Sequence, residues 1–233
     1  MTKLFNKAVA GATILLAAYA SVALAGDSKN SGFLKDYSLL QQAQDAAGNQ
    51  VQRYINPKLS AGGYSKIMID PVVYYPEPQP SDKVDAATLE QIKGYFNQTL
   101  SQKVGAKAAL VDGSGPGVVR MRAAITAVAA QKPGLKPYEL IPIGFLISRL
   151  KTPVLDAVVN VEVELVDSVS GELLGEVVKQ GTGNQLGAAE DAKLTFAEVQ
   201  PVLDQWSTQA ADFAASGFTV NTGSDSAAGS LGQ

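Results

Sequence analysis

The chain has 233 residues, 46% of them hydrophobic, with 19 Lys and Arg against 22 Asp and Glu and a formal net charge of −3. It contains neither cysteine nor histidine, which excludes disulfides, thiolate nucleophiles, Ser-His-Asp arrangements and the common zinc ligand sets and removes the usual general base near neutral pH. The mildly acidic balance argues against nucleic acid as a partner, because a phosphate backbone calls for a basic surface.

Residues 1–25 have the three-part form of an export signal. Lys3 and Lys7 make a positive start, residues 8–24 are almost entirely apolar around Ile14, Leu15 and Leu16, and Ala23-Leu24-Ala25 is the small-x-small pattern that signal peptidase cuts after. The run is nearly long enough to span a bilayer, but it is Ala-rich and a cleavage site follows it, so cleavage after Ala25 is expected. That cut leaves 208 of the 233 residues and removes two basic and no acidic groups, so 17 positive against 22 negative charges give −5. With no second run of comparable length, the mature chain is not expected to span a membrane as a helix.

Residues 26–63 are polar and weakly periodic, and predict an extended segment lying over the domain, fastened by Phe33, Leu34, Tyr37, Leu39 and Leu40. Residues 64–75, YSKIMIDPVVYY, read as a first strand, with Ile67, Ile69 and Val73 alternating. Pro71 cannot donate to a ladder, so this strand should be an edge or be bulged there. Residues 85–104 predict a helix whose stripe is Leu89, Ile92, Phe96 and Leu100, capped by Asp82 or Asp85 and stopped by Gly105.

A short strand over 106–111 precedes the turn DGSGPG. A long strand over 118–130 then points Val119, Met121, Ala123 and Ile125 one way and Arg120, Arg122 and Thr126 the other. Residues 131–153, with four prolines and the apolar run LIPIGFLI at 140–147, read as an insertion between strands. The clearest strand is 154–167, with Ala157, Val159, Val161, Val163 and Leu165 on one face and Asn160, Glu162 and Glu164 on the other. DSVSG at 167–171 turns the chain into a hairpin partner over 172–179. Residues 195–216 predict a second helix, with Thr195 and Glu198 as a capping box, Trp206 and Phe213 on its apolar face and Pro201 early in it. From 219 the Ser/Gly/Ala/Asn/Asp tail predicts disorder.

The order is strand, helix, short strand, long strand, hairpin, helix. It predicts a single α+β domain over 64–218, two-layered, with a mostly antiparallel sheet and two amphipathic helices on one face. The polar residues on the long strands predict that the other face meets water.

Several stretches are similar to one family. SGFL and YSLL (31–40), RYINP (53–57), YSKIMIDPV (64–72), VEVELVDSVSGELL (161–174) and the helix around Trp206 resemble, in order, the DUF3313 lipoproteins of Gram-negative bacteria. That family has no assigned function, so the resemblance implies no catalytic, cofactor or binding residues. It implies a periplasmic, commonly lipid-anchored domain. The chain departs from the pattern at Asp27, which follows LAG where the lipidated cysteine would stand. The resemblance together with the missing thiol implies an unlipidated protein, soluble in the periplasm or held at the outer membrane by a partner.

Chemistry must come from carboxylates, lysine, tyrosine or serine. Glu162, Glu164 and Asp167 lie on or near one strand, and paired carboxylates catalyse acid–base reactions when one is desolvated. Alternation puts Glu162 and Glu164 on the polar face, where solvated cross-strand ion pairs with Arg120 and Arg122 are the simpler expectation. The GSGPG turn lacks the following helix and the Lys of a phosphate loop. Trp206 and Phe213 match core spacing, and Tyr74 and Tyr75 face opposite sides of a strand. Leu140, Ile141, Ile143, Phe145, Leu146 and Ile147 either tuck into the core or form a patch for an envelope partner or the outer-membrane surface. The reading is a non-enzymatic envelope protein that binds or scaffolds other components. The alternatives are a carboxylate-based hydrolase or lyase using Glu162 and Glu164, and a small-ligand binder with a pocket between helix and sheet.

Overall fold

The computed structural model describes residues 30–61, 63–131, 154–188 and 192–219. Ala23 and Ala25, Asp27, the 140–147 run and the tail from 220 lie outside the described residues. The strands are β1 (Gln41–Gln44), β2 (Gln50–Ile55), β3 (Lys66–Ile69), β4 (Val73–Tyr74), β5 (Ala109–Leu110), β6 (Val118–Gln131), β7 (Val154–Asp167) and β8 (Leu173–Ala188). The helices are α1 (Pro57–Ser60), α2 (Ala86–Lys107) and α3 (Phe196–Ala215).

The strands form one sheet in the order β1-β2-β8-β7-β6-β3-β5, with β4 beside β6. The β1–β2, β2–β8, β8–β7 and β7–β6 pairs are antiparallel, whereas β3 and β4 run parallel to β6 and β5 parallel to β3. The α+β expectation therefore holds. The hairpin that the DSVSG turn predicts lies inside the sheet between β2 and β6, and its second strand, expected over 172–179, runs on to Ala188.

Alternation on β6 and β7 sends Val119, Met121, Ile125, Val159 and Val161 to the helix side, where α2 contributes Ile92, Phe96 and Leu100 and α3 contributes Val202, Leu203 and Trp206. The Phe96 and Trp206 rings lie 6.3 Å apart at the centre. Each such side chain contributes about 1.5–3 kcal/mol on burial, so this layer is the principal source of stability.

Besides the longer β8, three elements differ from the sequence expectation. The segment over 26–63 adds two strands, β1 and β2, to the sheet edge. The strand expected over 64–75 is broken into β3 and β4 around Pro71, and Asn97 of α2 takes up the orphaned backbone, accepting from Val72 N at 2.7 Å and donating to Val72 O at 3.2 Å. Helix α2 begins as expected, with Asp85 accepting from Thr88 N at 2.7 Å, but passes through Gly105 to Lys107. Lys103 and Lys107 in these last turns reach Asp204 and Asp212 of α3, so contact with the parallel α3 outweighs the modest cost of one helical glycine.

Helix α3 opens with Glu198 accepting from Thr195 N at 2.7 Å. Pro201 leaves the Ala197 carbonyl without its helical donor, and Asn184 of β8 supplies one at 3.4 Å. That contact is possible because α3 lies almost on the backbone of β8. A Cβ on Gly181 would come within 2.2 Å of Val202 and 2.7 Å of Trp206, and one on Gly183 within 2.0 Å of the Glu198 carbonyl oxygen. Gly183→Ala should therefore cost about 3 kcal/mol in urea unfolding, since backbone on both sides prevents relief. Gly187→Ala, on the same strand with open space around it, should stay within about 0.5 kcal/mol of wild type.

Candidate functional site

On the face of the sheet away from the helices, register sets Arg122 of β6, Glu164 of β7, Glu176 of β8 and Tyr54 of β2 in one row. Glu162 stands one pleat further along β7, between Ala124 and Val178. The expectation that these glutamates are solvated is wrong. Glu162, Glu164 and Glu176 are only 3%, 5% and 2% exposed. Their cover includes the stretch 31–37, which crosses this face and buries Leu34 against it.

Each carboxylate meets burial differently. Arg122 bonds Glu164 at 2.6 Å, the cross-strand ion pair that alternation predicts. Arg120 turns instead to Asp70 at 2.7 Å. Glu162 pairs with no arginine among the described residues. It accepts from Ser31 Oγ at 2.8 Å, Tyr37 Oη at 2.6 Å and Ser31 N at 3.4 Å. Tyr37 in turn accepts from the amides of Gly32 and Leu34 at 2.9 and 3.3 Å, so one phenol organises the whole stretch. Burial and the bond to Glu162 push the Tyr37 phenol up from its usual value, which keeps it a donor. Phe33 lies over the Arg122 guanidinium, 5.5 Å from ring centre, and edge-on to Tyr75 at 5.9 Å.

Glu176 has no such help. Its Oε2 is buried without a partner, and burial, then the charges of Glu164, Asp36 and Glu162, push its carboxyl up to about 7. Like-charged residues directly opposite across a ladder repel, and the single Arg122 offsets only one of them.

Sequence reasoning singled out Glu162 and Glu164 but missed Glu176, Ser31 and Tyr37 as their partners. The hairpin register held the signal for Glu176, because pairing strands outward from the 167–171 turn sets it opposite Glu164. Ser31 and Tyr37 reach Glu162 across 131 and 125 residues, a separation that leaves no local signal. Asp167 is spent on the turn itself, accepting from Ser170 N at 2.7 Å, and on Tyr64 Oη at 3.0 Å. Tyr74 is buried and donates to Leu89 O, while Tyr75 is exposed on the opposite side, so the two form no common ledge. The glycine turn is closed by Gly117 at φ 71, packed against Gly63 O. A shallow groove of about 380 Å³ runs between Ala46–Ala47 and Lys103, Asp204 and Thr208, where the Lys103 ammonium is already bonded to Asp204 and Thr208. Among the described residues no group of three or more acidic side chains is arranged to hold a metal ion.

The stretches that build this site are those that resemble DUF3313: SGFL and Tyr37 supply the cover, and VEVEL supplies Glu162 and Glu164. The model of that family, described as a protein of unknown function, matches residues 29–210. The chain belongs to the DUF3313 family. It is 32% identical over 189 residues to the uncharacterized lipoprotein YdcL of Escherichia coli, covering 79% of this chain and 85% of YdcL. Among solved structures it is similar to a Xanthomonas campestris protein of family DUF330 (8% identity, TM-score 0.40, 66% and 85% covered). It is also similar to the PelC dodecamer of Paraburkholderia phytofirmans (14%, 0.33, 73% and 98%). Both likenesses are too low to bear on its role. Among the described residues of this DUF3313 chain no helix is long and apolar enough to cross a membrane.

Two outcomes follow from the carboxylate row. Arg122→Met strands a buried Glu164 and should cost about 2 kcal/mol, with Glu164→Gln in the same background recovering part of it in urea unfolding. The folded-state value of Glu176 lies above its ordinary 4.5, so its contribution to stability is complete below that value and is lost as pH rises through about 7. The slope is at most about 1.4 kcal/mol per pH unit for one proton. Thermal unfolding should therefore give a Tm that falls from pH 5 to pH 8, and Glu176→Gln should remove most of that fall.

Proposed function

We propose that this DUF3313 protein is exported, is cleaved after Ala25, and works unlipidated as a non-enzymatic binding or scaffolding domain in the periplasm or at the outer membrane. The observation that carries the non-enzymatic reading is the state of the carboxylates. A catalytic base must approach a substrate proton within hydrogen-bond reach, and Glu162 already has three donors from the covering stretch while Glu164 is paired with Arg122. An envelope location is supported by the lipoprotein relative and by the export-signal pattern, and the absence of any thiol supports an unlipidated form. The contact we propose for an envelope partner or the outer-membrane surface is the apolar run of Leu140, Ile141, Ile143, Phe145, Leu146 and Ile147.

Fractionation and intact-mass measurement of the exported protein should give residues 26–233 with no added lipid; a lipid-sized excess, or retention of residues 1–25, overturns the location and processing. Crosslinking in intact envelopes should capture a partner with the native protein and lose it when 140–147 is replaced by a Gly/Ser stretch of equal length. Equal capture by the two proteins sinks the assigned contact.

A further inference from the structure

We propose that residues 31–37 are a pH-governed strap, closed over the outer face of the sheet in acid and released from it as pH rises, with Glu162 as the anchor and Glu176 as the trigger. The inference does not depend on where the protein works.

The anchorage is narrow. Among the described residues, Glu162 is the only group beyond residue 40 that hydrogen-bonds to residues 31–37. The remaining polar bonds of the strap are local: most converge on the Tyr37 hydroxyl and Ser31 Oγ, and Ser38 N donates to Asp36 Oδ1 and Leu40 N to Tyr37 O where the chain runs on toward β1. The apolar hold is Leu34, 3% exposed, with Phe33 against Arg122 and Tyr75. An opening of the strap thus breaks one carboxylate's bonds and lifts one leucine and one phenylalanine, without touching any strand pair. Segments held by so few contacts open well below the free energy of global unfolding.

The trigger is beneath and beside that anchor. Glu176 is faced by Glu164 and Glu162 from β7, by Arg122 beyond Glu164 on β6, by Tyr54 from β2, and by Asp36 from the strap, whose Tyr37 bonds the neighbouring Glu162. Its unpartnered buried Oε2 is tolerable while the group is neutral. Once ionised it sets its charge beside the carboxyls of Glu164 and Glu162, with Arg122 the one cation of that row among the described residues, and it repels Asp36 on the strap itself. Opening admits water to the carboxylates and relieves that repulsion, so the open form holds the Glu176 proton less tightly than the closed form. The opening equilibrium must then rise with pH up to about 7, the closed-state value, and level off above it. Opening uncovers Leu34 and the glutamate row together, converting a sealed face into an acidic one with an apolar seat.

The test is hydrogen exchange on the full chain at pH 5 and pH 8, each rate divided by the intrinsic rate at that pH. The Gly32 and Leu34 amides, which donate to Tyr37, should lose at least about tenfold in protection between the two pH values, one pKa unit of coupling being tenfold. At both pH values they should be far less protected than β7. Glu176→Gln should keep the strap protected at pH 8. Tyr37→Phe, and Glu162→Gln where it folds, should leave it unprotected at both pH values with β7 intact. Strap protection that is unchanged by pH, that matches β7, or that still falls in Glu176→Gln overturns the proposal.

Discussion

A carboxylate taken out of water must gain donors, gain a cation or give up its charge, and β7 carries two of them through the middle of the sheet with a third opposite on β8. Much of the architecture follows from how these three are accommodated. Strand β7 lies inside the sheet between β8 and β6, and its other face supplies Val159, Val161 and Leu165 to the core. Its outer face is then flanked on both sides by strands, and burial of that face becomes a matter of what crosses it. Glu164 meets Arg122 from β6. Glu162 recruits the chain's own N-terminal part, whose Ser31 and Tyr37 supply donors that no neighbouring strand offers. A hydrogen bond to a charged group contributes about 1.5–3 kcal/mol, so three donors can offset the desolvation of one carboxylate. Glu176, with no donor on Oε2, gives up its charge over much of the pH range instead.

The opposite face is governed by contact rather than charge. Helix α3 approaches β8 so closely that Gly181 and Gly183 leave no space for a Cβ, and the shared contact lets Asn184 complete the backbone that Pro201 interrupts. Helix α2 is then held to α3 by a ladder of side chains on parallel helices: Tyr95 and Lys103 to Asp204, and Lys107 to Asp212. At the sheet edge, Asp45 in the β1–β2 turn pairs with the half-buried Lys179 at 2.9 Å and accepts from Gln209 of α3. Burial would raise the Asp45 carboxyl, yet the bonds from Lys179 and Asn49 hold it down at about 2. Beyond the β2–β8 ladder, the N-terminal part is thus tied to the domain by contacts of different chemistry, among them an ion pair at the hairpin turn and a hydroxyl-rich contact at Glu162.

Legibility in the sequence tracked the distance between partners. The β7–β8 hairpin, the α2 stripe and the α3 capping box were readable because the groups that define them lie within a few residues of one another. The Arg122–Glu164 pair was readable because alternation puts both on one face. Solvation of Glu162 and Glu164 was misjudged because alternation assigns a side chain to a face and says nothing of what covers that face. The helical course through Gly105 was missed for a similar reason: local propensity marks a glycine as a stop, and the lysines that reward continuation bond to a helix about a hundred residues later.

By itself, then, the sequence determined the kinds of chemistry open to this protein, the α+β class and the two faces of each long strand, since composition and period are local properties. It also carried the family resemblance, through short motifs in order along the chain. Only the tertiary structure decided that SGFL, Tyr37 and VEVEL form one site, that Glu176 completes it, and that its acids are sealed rather than solvated. Those facts depend on long-range closure and on the water that closure excludes, and neither leaves a periodic trace in the order of residues.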